Sequence, residues 1–337
     1  MFSIKKIFLL SNCFLIVICI CLLSAKSTLS QGKCDTLSFV HITDSHMIFS
    51  PSNYDSTWIK GRYNYFWENT SPFEQFFRSN PSINRSDFVV LTGDLVDFYE
   101  AETNEGKMMG TQIEQVQKLL NSITNSTVYL TLGNHGITSY PKGRYHQKNS
   151  GLARATWIKN VPCFSNGTYY SHLYNVGTTT YRLIFLDNAY FSGRKNKEQA
   201  DFIIDQPQLD WLEAQLNESS TDKEIIFMHM PLPVINKNKK NKLIEISYKE
   251  YTKRTNTGYL LNIIRKANSS LQMIVAGHMH INDISKFDFS EDFNFVQVLT
   301  GAFGNDVNNW RLFQLTDSDI IISDPGASNN ELIIPVQ

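Results

Sequence analysis

The chain has 337 residues and a mass of 38.7 kDa, enough for one large domain or a domain with a sizeable insertion. Hydrophobic residues make up 42% and aromatics 12%, which supports a packed core and excludes global disorder. The 31 Lys and Arg nearly cancel the 32 Asp and Glu, and a net charge of -1 speaks against the basic footprint of a nucleic-acid binder.

Lys5 and Lys6 precede an apolar stretch from Ile7 to Leu23. A basic segment followed by an apolar one reads as a secretory signal over residues 1–30, with cleavage expected near Ala25 or Ser30. The alternative is a retained membrane anchor, for which this stretch, interrupted by Ser11 and Asn12, is short. The expected location is therefore secreted, periplasmic or extracellular, and membrane-anchored if the segment is kept. Cys13, Cys19 and Cys21 lie inside it, which leaves Cys34 and Cys163 in the mature chain, too few for a thiolate metal site. Sequons at Asn69, Asn84, Asn125, Asn166, Asn217 and Asn268 are about as many as an Asn-rich chain produces by chance, so they decide nothing about origin.

Past the signal, short β-branched apolar runs recur: Leu37–Ile42, Phe88–Leu91, Val128–Leu132, Tyr181–Leu186, Ile225–Met228 and Met273–Val275. Runs of this length fit strands buried on both faces. Helical patterns lie between them at Thr111–Leu120, Gln208–Leu216 and Tyr259–Lys266. That alternation predicts an α/β layered domain over 31–337. Phe295–Leu299, Trp310–Leu315 and Ile320–Ile322 make the tail β-like and point to a mixed or second sheet. Segments 47–86, 136–170 and 236–254 read as loop insertions. The aromatics between Tyr54 and Trp67 are expected to form their own small core, and the lysines between Lys237 and Lys242 a solvated loop. His146 and His172 are not expected to be ligands.

The chemistry follows the strands. Leu37–Ile42 is followed by Thr43-Asp44-Ser45-His46, and Phe88–Leu91 by Gly93-Asp94-Leu95-Val96-Asp97. Gly133-Asn134-His135 follows Val128–Leu132, His229 follows Ile225–Met228, and Gly277-His278-Met279-His280 follows Met273–Val275. Ligand sites in open α/β sheets lie beyond the carboxyl ends of strands, so one rim collects these carboxylates, imidazoles and the amide. Such ligands without thiolate suit Zn, Mn or Fe, and their number suits two metals sharing a carboxylate. A lone Asp-x-His or Asn-His is usually a cap or a turn. Five such elements, each closing a predicted strand, are not accounted for that way.

This set resembles the calcineurin-like metallophosphoesterase superfamily over roughly residues 37–315. The resemblance implies a four-layer α/β/β/α sandwich with mixed sheets. It implies that Asp44, His46 and His280 hold one metal, that Asn134, His229 and His278 hold a second, and that Asp94 bridges them. His135 would contact the phosphate and assist the leaving group, with Asp97 orienting it. Two departures stand out: Gly136 replaces the usual acidic residue after Asn-His, and Asp97 stands where purple acid phosphatases place a tyrosine ligand. No tyrosinate-iron colour is therefore expected.

The expected activity is metal-dependent hydrolysis of a phosphodiester or phosphomonoester, by in-line attack of a hydroxide bridging the two metals. The alternatives are a phosphatase of proteins or nucleotides, and a catalytically silent phosphate- or metal-binding protein on the same scaffold. The expected partner is a small phosphoester, with neither nucleic acid nor a stable membrane partner.

Overall fold

Alternation of side chains along buried strands builds this fold. The computed structural model describes residues 35–189, 204–232, 257–266, 270–290 and 293–336. In chain order the first half forms β1 (Leu37–Ile42), α1 (Ser56–Phe66), α2 (Thr70–Ser79), α3 (Pro81–Arg85), β2 (Phe88–Thr92), β3 (Glu100–Glu102) and β4 (Met108–Met109). It continues with α4 (Gln112–Ile123), β5 (Thr127–Thr131), β6 (Ser139–Tyr140), α5 (Ser150–Asn160), β7 (Tyr170–Val176) and β8 (Thr179–Phe185). The second half adds α6 (Gln206–Asn217), β9 (Lys223–Phe227), α7 (Thr257–Lys266), β10 (Ser270–Ala276) and β11 (Asp283–Ser290). It ends with β12 (Phe293–Leu299), β13 (Trp310–Leu315), β14 (Asp319–Ser323) and β15 (Asn330–Pro335).

Among the described residues, two six-stranded sheets carry the fold, in the orders β15-β14-β13-β1-β2-β5 and β11-β12-β10-β9-β8-β7. β1, β2 and β5 run parallel, as do β8, β9, β10 and β12, while the remaining pairings of the two sheets are antiparallel. Successive residues of a strand point to opposite faces. Phe39, Phe88, Val90 and Phe313 of the first sheet therefore meet Leu183, Phe185, Phe227 and Val275 of the second in one buried layer. The residues between them face outward. Val40, Val89 and Leu91 pack beneath Phe73, Phe77, Val116 and Trp157 of α2, α4 and α5. Ile184, Ile226 and Ile274 pack beneath Leu209, Leu212, Leu261 and Ile264 of α6 and α7. The product is the expected four-layer α/β/β/α arrangement with mixed sheets.

Two of the segments read as insertions are largely helical. Residues 47–86 contain α1 to α3, and residues 136–170 contain α5. The segment 236–254, the signal over 1–30, Cys34 and Asn268 lie outside the described residues. The aromatic segment divides. Tyr54, Trp58 and Ile59 form a small core with Phe98 and Tyr140, whereas Phe66 turns to the strand-end rim and Tyr65 and Trp67 are exposed. The sequon asparagine Asn69 is buried and donates to the Phe66 carbonyl.

Candidate metal centre

The five motifs leave parallel strands at one rim, and backbone bonds lace their turns together. The Asp44 N–H donates to the Gly93 carbonyl at 3.1 Å and the His46 N–H to the Asp94 carbonyl at 2.9 Å. The Gly277 N–H donates to the His229 carbonyl at 3.0 Å. Asp44, His46, Asp94, His278 and His280 all take positive φ, between 46° and 67°. A non-glycine residue in that region costs about 1–2 kcal/mol, and such strain persists where the surroundings over-determine it. Glycine is required where backbones touch. A Cβ at Gly133 would overlap the amide nitrogen and Oδ1 of Asp94, and one at Gly277 would overlap Thr43 Oγ1 and Asp44 Oδ2.

The side chains converge. Asp44 Oδ1 lies 3.2 Å from His280 Nε2 and 3.7 Å from His46 Nε2, and the two imidazole nitrogens are 3.4 Å apart. Asp94 Oδ2 lies 3.1 Å from His229 Nε2 and 3.9 Å from His46 Nε2. His229 Nε2 is 3.1 Å from Asn134 Oδ1. Among the described residues, three groupings have ligand atoms close enough to hold a cation: Asp44, His46 and His280; Asp94, His229 and His278; and His46, Asp94 and His135.

The hydrogen bonds around the rim leave lone pairs pointing inward. His229 Nδ1 faces the Thr92 carbonyl at 2.7 Å, so in the neutral ring it carries the proton and Nε2 the lone pair. His46 Nδ1 faces Asp97 Oδ1 at 3.2 Å, with the same consequence for its Nε2. The outer oxygens are satisfied. Asp44 Oδ2 accepts from Thr43 Oγ1 at 2.6 Å and the His278 N–H at 2.8 Å, and Asp94 Oδ1 accepts from the His135 N–H at 2.7 Å. The inner oxygens, Asp44 Oδ1 and Asp94 Oδ2, are buried with no donor in hydrogen-bonding geometry. A buried, unpaired carboxylate oxygen is strongly unfavourable. Two of them facing imidazole lone pairs and an amide oxygen form a donor set that fits divalent cations.

The electrostatics agree. Burial alone would lower His46 and His229. The carboxylates of Asp44, Asp97 and Asp94 around His46 outweigh it and raise that ring to about 9, and the charges of Asp94 and Asp44 raise His229 to about 9. Burial would raise both carboxyls, but His229 and the other imidazoles hold Asp44 well below the usual range and lower Asp94 as well. Negative charge here therefore draws in positive charge, as protons or as metal. Burial, aided by the charge of His229, lowers His278 to about 4.

His135 is 16% exposed at the edge of the cluster, its Nδ1 donating to the Asp97 carbonyl at 2.8 Å. The Asp97 carboxylate is fully buried, 3.5 Å from that same nitrogen. Arg62 grips it with two bonds of 2.6 Å, and Phe66 stacks on the His46 ring with centroids 3.7 Å apart. Neither Arg62 nor Phe66 belongs to a sequence motif. Asn188 also escapes the motifs: its Oδ1 accepts from the His229 and Met230 N–H groups at 3.2 and 3.1 Å. It follows β8 in a buried Asp-Asn pair, the same strand-end placement that marks the other five motifs.

The Gly136 departure has a steric reason. A Cβ there would lie 3.3 Å from the Trp157 ring, whose Nε1 donates to the Gly136 carbonyl at 2.9 Å. An indole thus crowds the position where the resemblance leads one to expect a carboxylate. Arg154, in the 136–170 segment, is buried in an ion pair with Asp187 at 2.8 Å. His172 packs on Tyr129, and neither it nor His146 joins the candidate groupings.

A sequence model of the calcineurin-like phosphoesterases matches residues 37–282, which spans all five motifs. The chain belongs to the calcineurin-like phosphoesterase family. It is a metallophosphoesterase and hence a hydrolase. Curated protein sequences give no significant match to this phosphoesterase. Among solved structures, PhoD is similar with a TM-score of 0.52 and 11% identity, over 90% of this chain and 69% of PhoD. The Plasmodium protein GAP50, described as the anchor in the inner membrane complex, is similar with a TM-score of 0.50 and 13% identity, over 90% of this chain and 89% of GAP50. At these identities the likeness shows the fold alone.

Proposed function

We propose that this phosphoesterase hydrolyses a small phosphodiester or phosphomonoester at a centre of two divalent cations. Asp44, His46 and His280 would hold one ion, Asn134, His229 and His278 the other, and Asp94 would lie between them. Mn, Zn or Fe suits this nitrogen and oxygen donor set. Two such ions bound there supply charge for the phosphoryl oxygens and acidify an attacking water. The observation that carries the reading is the pair of buried, unpartnered oxygens, Asp44 Oδ1 and Asp94 Oδ2, facing imidazole lone pairs.

The remaining work falls to His135. Its Nδ1–H is fixed on the Asp97 carbonyl, which leaves Nε2 free to face substrate from the edge of the cluster. A proton on Nε2 makes the ring an imidazolium that stabilises the leaving oxygen and then protonates it. Burial lowers this ring below the usual histidine value, and the charges of Asp94 and of Asp97, 3.5 Å from Nδ1, oppose that lowering. We further propose export, supported by Lys5 and Lys6 ahead of the Ile7–Leu23 stretch. Among the described residues no helix is long and apolar enough to cross a membrane.

The test is turnover of p-nitrophenyl phosphate and bis-p-nitrophenyl phosphate, before and after chelation. Metal-dependent release of nitrophenol is the expected result, and the ratio of the two rates separates monoesterase from diesterase. A chain that binds both metals yet turns over neither compound would favour the silent binding protein.

A further inference from the structure

Arg62 and Phe66 lie four residues apart on α1, so they share one face of that helix. That face turns toward the metal centre. Arg62 sets Nε 2.6 Å from Asp97 Oδ2 and Nη2 2.6 Å from Asp97 Oδ1, a two-point fork on a buried carboxylate. Its guanidinium lies 5.2 Å from the Phe66 ring centroid and 5.6 Å from that of Tyr140. Asp97 Oδ1 in turn lies 3.2 Å from His46 Nδ1. Phe66 lies flat against the same imidazole, 7° from parallel.

His46 is therefore gripped at its edge by a carboxylate and across its face by a phenyl ring. An ionised carboxylate has no proton to give, so the hydrogen of the neutral imidazole sits on Nδ1. The Nε2 lone pair then faces Asp44 and His280. The fork also denies Asp97 the alternative of turning its carboxylate toward His135 Nδ1, 3.5 Å away.

We infer that Arg62 is a positioning residue. By forking Asp97 it holds the ring orientation and the Nδ1–H tautomer in which His46 offers Nε2 to a divalent cation. The inference rests on the metal reading proposed above and adds a contributor from α1, outside every strand-end motif. Groups that orient a metal-binding imidazole commonly change metal affinity by about 10–100-fold when removed.

The experiment titrates Mn into chelator-treated full-length protein by calorimetry, for the parent, Arg62→Met and Arg62→Lys. The imidazole nitrogens of His46 are followed by NMR in the same metal-free samples, at a pH above that at which the ring becomes neutral. The parent is expected to show two binding events and a single Nδ1–H tautomer at His46. In Arg62→Met one event should weaken by about 10–100-fold while the other stays put, and His46 should become a mixture of tautomers. Arg62→Lys keeps the charge but not the fork, and should fall between the two. If Arg62→Met does not fold, the lysine variant carries the test through the same two readouts. Parent affinities together with an unchanged His46 tautomer, in whichever variant folds, would overturn the role of Arg62 and leave the metal reading standing. A parent that binds no metal would overturn both.

Discussion

His229 and His46 face the same carboxylate oxygen, Asp94 Oδ2, at 3.1 and 3.9 Å, but they are held in different ways. His229 is fully buried. Its Nδ1 is tied to a main-chain carbonyl at the end of β2, and its own N–H is tied to Asn188 after β8. Both supports come from the ends of strands. The His46 N–H is likewise tied to the Asp94 carbonyl after β2, but its ring depends on a chain of side chains, in which Asp97 is forked by Arg62 and the imidazole is covered by Phe66. One half of the centre is thus anchored in the sheets and the other in side chains that α1 delivers. The sheet-held half should withstand changes around it, and the half held by side chains should be sensitive to single substitutions.

The largest expected effect ignores this asymmetry. Asp94 faces both halves, so Asp94→Asn should reduce phosphoester turnover to background, and a steady-state assay would show it. Next comes His135→Ala. Turnover should fall by about 10²–10⁴-fold while metal content, read by elemental analysis, stays near that of the parent. Loss of both metals in that variant would contradict the place given to His135 at the edge of the cluster.

Asn188→Ala sharpens the comparison further. It strips the acceptor from two buried N–H groups, at a cost of about 1–3 kcal/mol. Because the Thr92 carbonyl still holds His229 Nδ1, thermal unfolding should shift down while metal affinity falls less than in Arg62→Met. A larger loss of affinity in Asn188→Ala would reverse the assignment of the rigid half.

The last effect lies beneath the centre and falls on stability, not on turnover. His41 is fully buried between Thr92 and Thr300, each 2.8 Å from a ring nitrogen. Burial, then the neighbouring charge of Arg311, lowers it to about 3. The folded chain therefore takes up this proton less readily than the unfolded chain, whose histidine titrates near 6.5. Stability from this group is complete above that value, and falls as the pH drops toward 3, by at most about 5 kcal/mol. His41→Gln, which can still bond both threonines, should lose less stability than the parent between pH 7 and 4 in denaturant melts. Equal acid loss in the two proteins would remove His41 from this account.

The divide between the two halves also separates what the sequence makes legible from what it hides. Strands buried on both faces leave continuous apolar runs, and the groups that follow them sit in short contiguous motifs, so nearly every residue that meets at the rim is readable in order. Asn188 was within reach by the same rule, since it lies two residues past the run ending at Leu186. Arg62 and Phe66 were not, because the contact to Asp97 spans 35 residues and depends on which face α1 presents. Helices α1 and α5 give weak signals for a related reason: each buries only a few residues, among them the charged Arg154. The edge strands β7 and β15 leave most of their side chains at least partly exposed and so lack an apolar run.

The central claim is that two half-sites share Asp94. The most direct measurement is metal content per chain after reconstitution with Mn or Zn, for the parent and for Asp94→Asn. The account predicts about two ions per parent chain, and a variant left nearly empty with its fold intact by circular dichroism. A parent without metal, or an Asp94→Asn protein that keeps both ions, would contradict it.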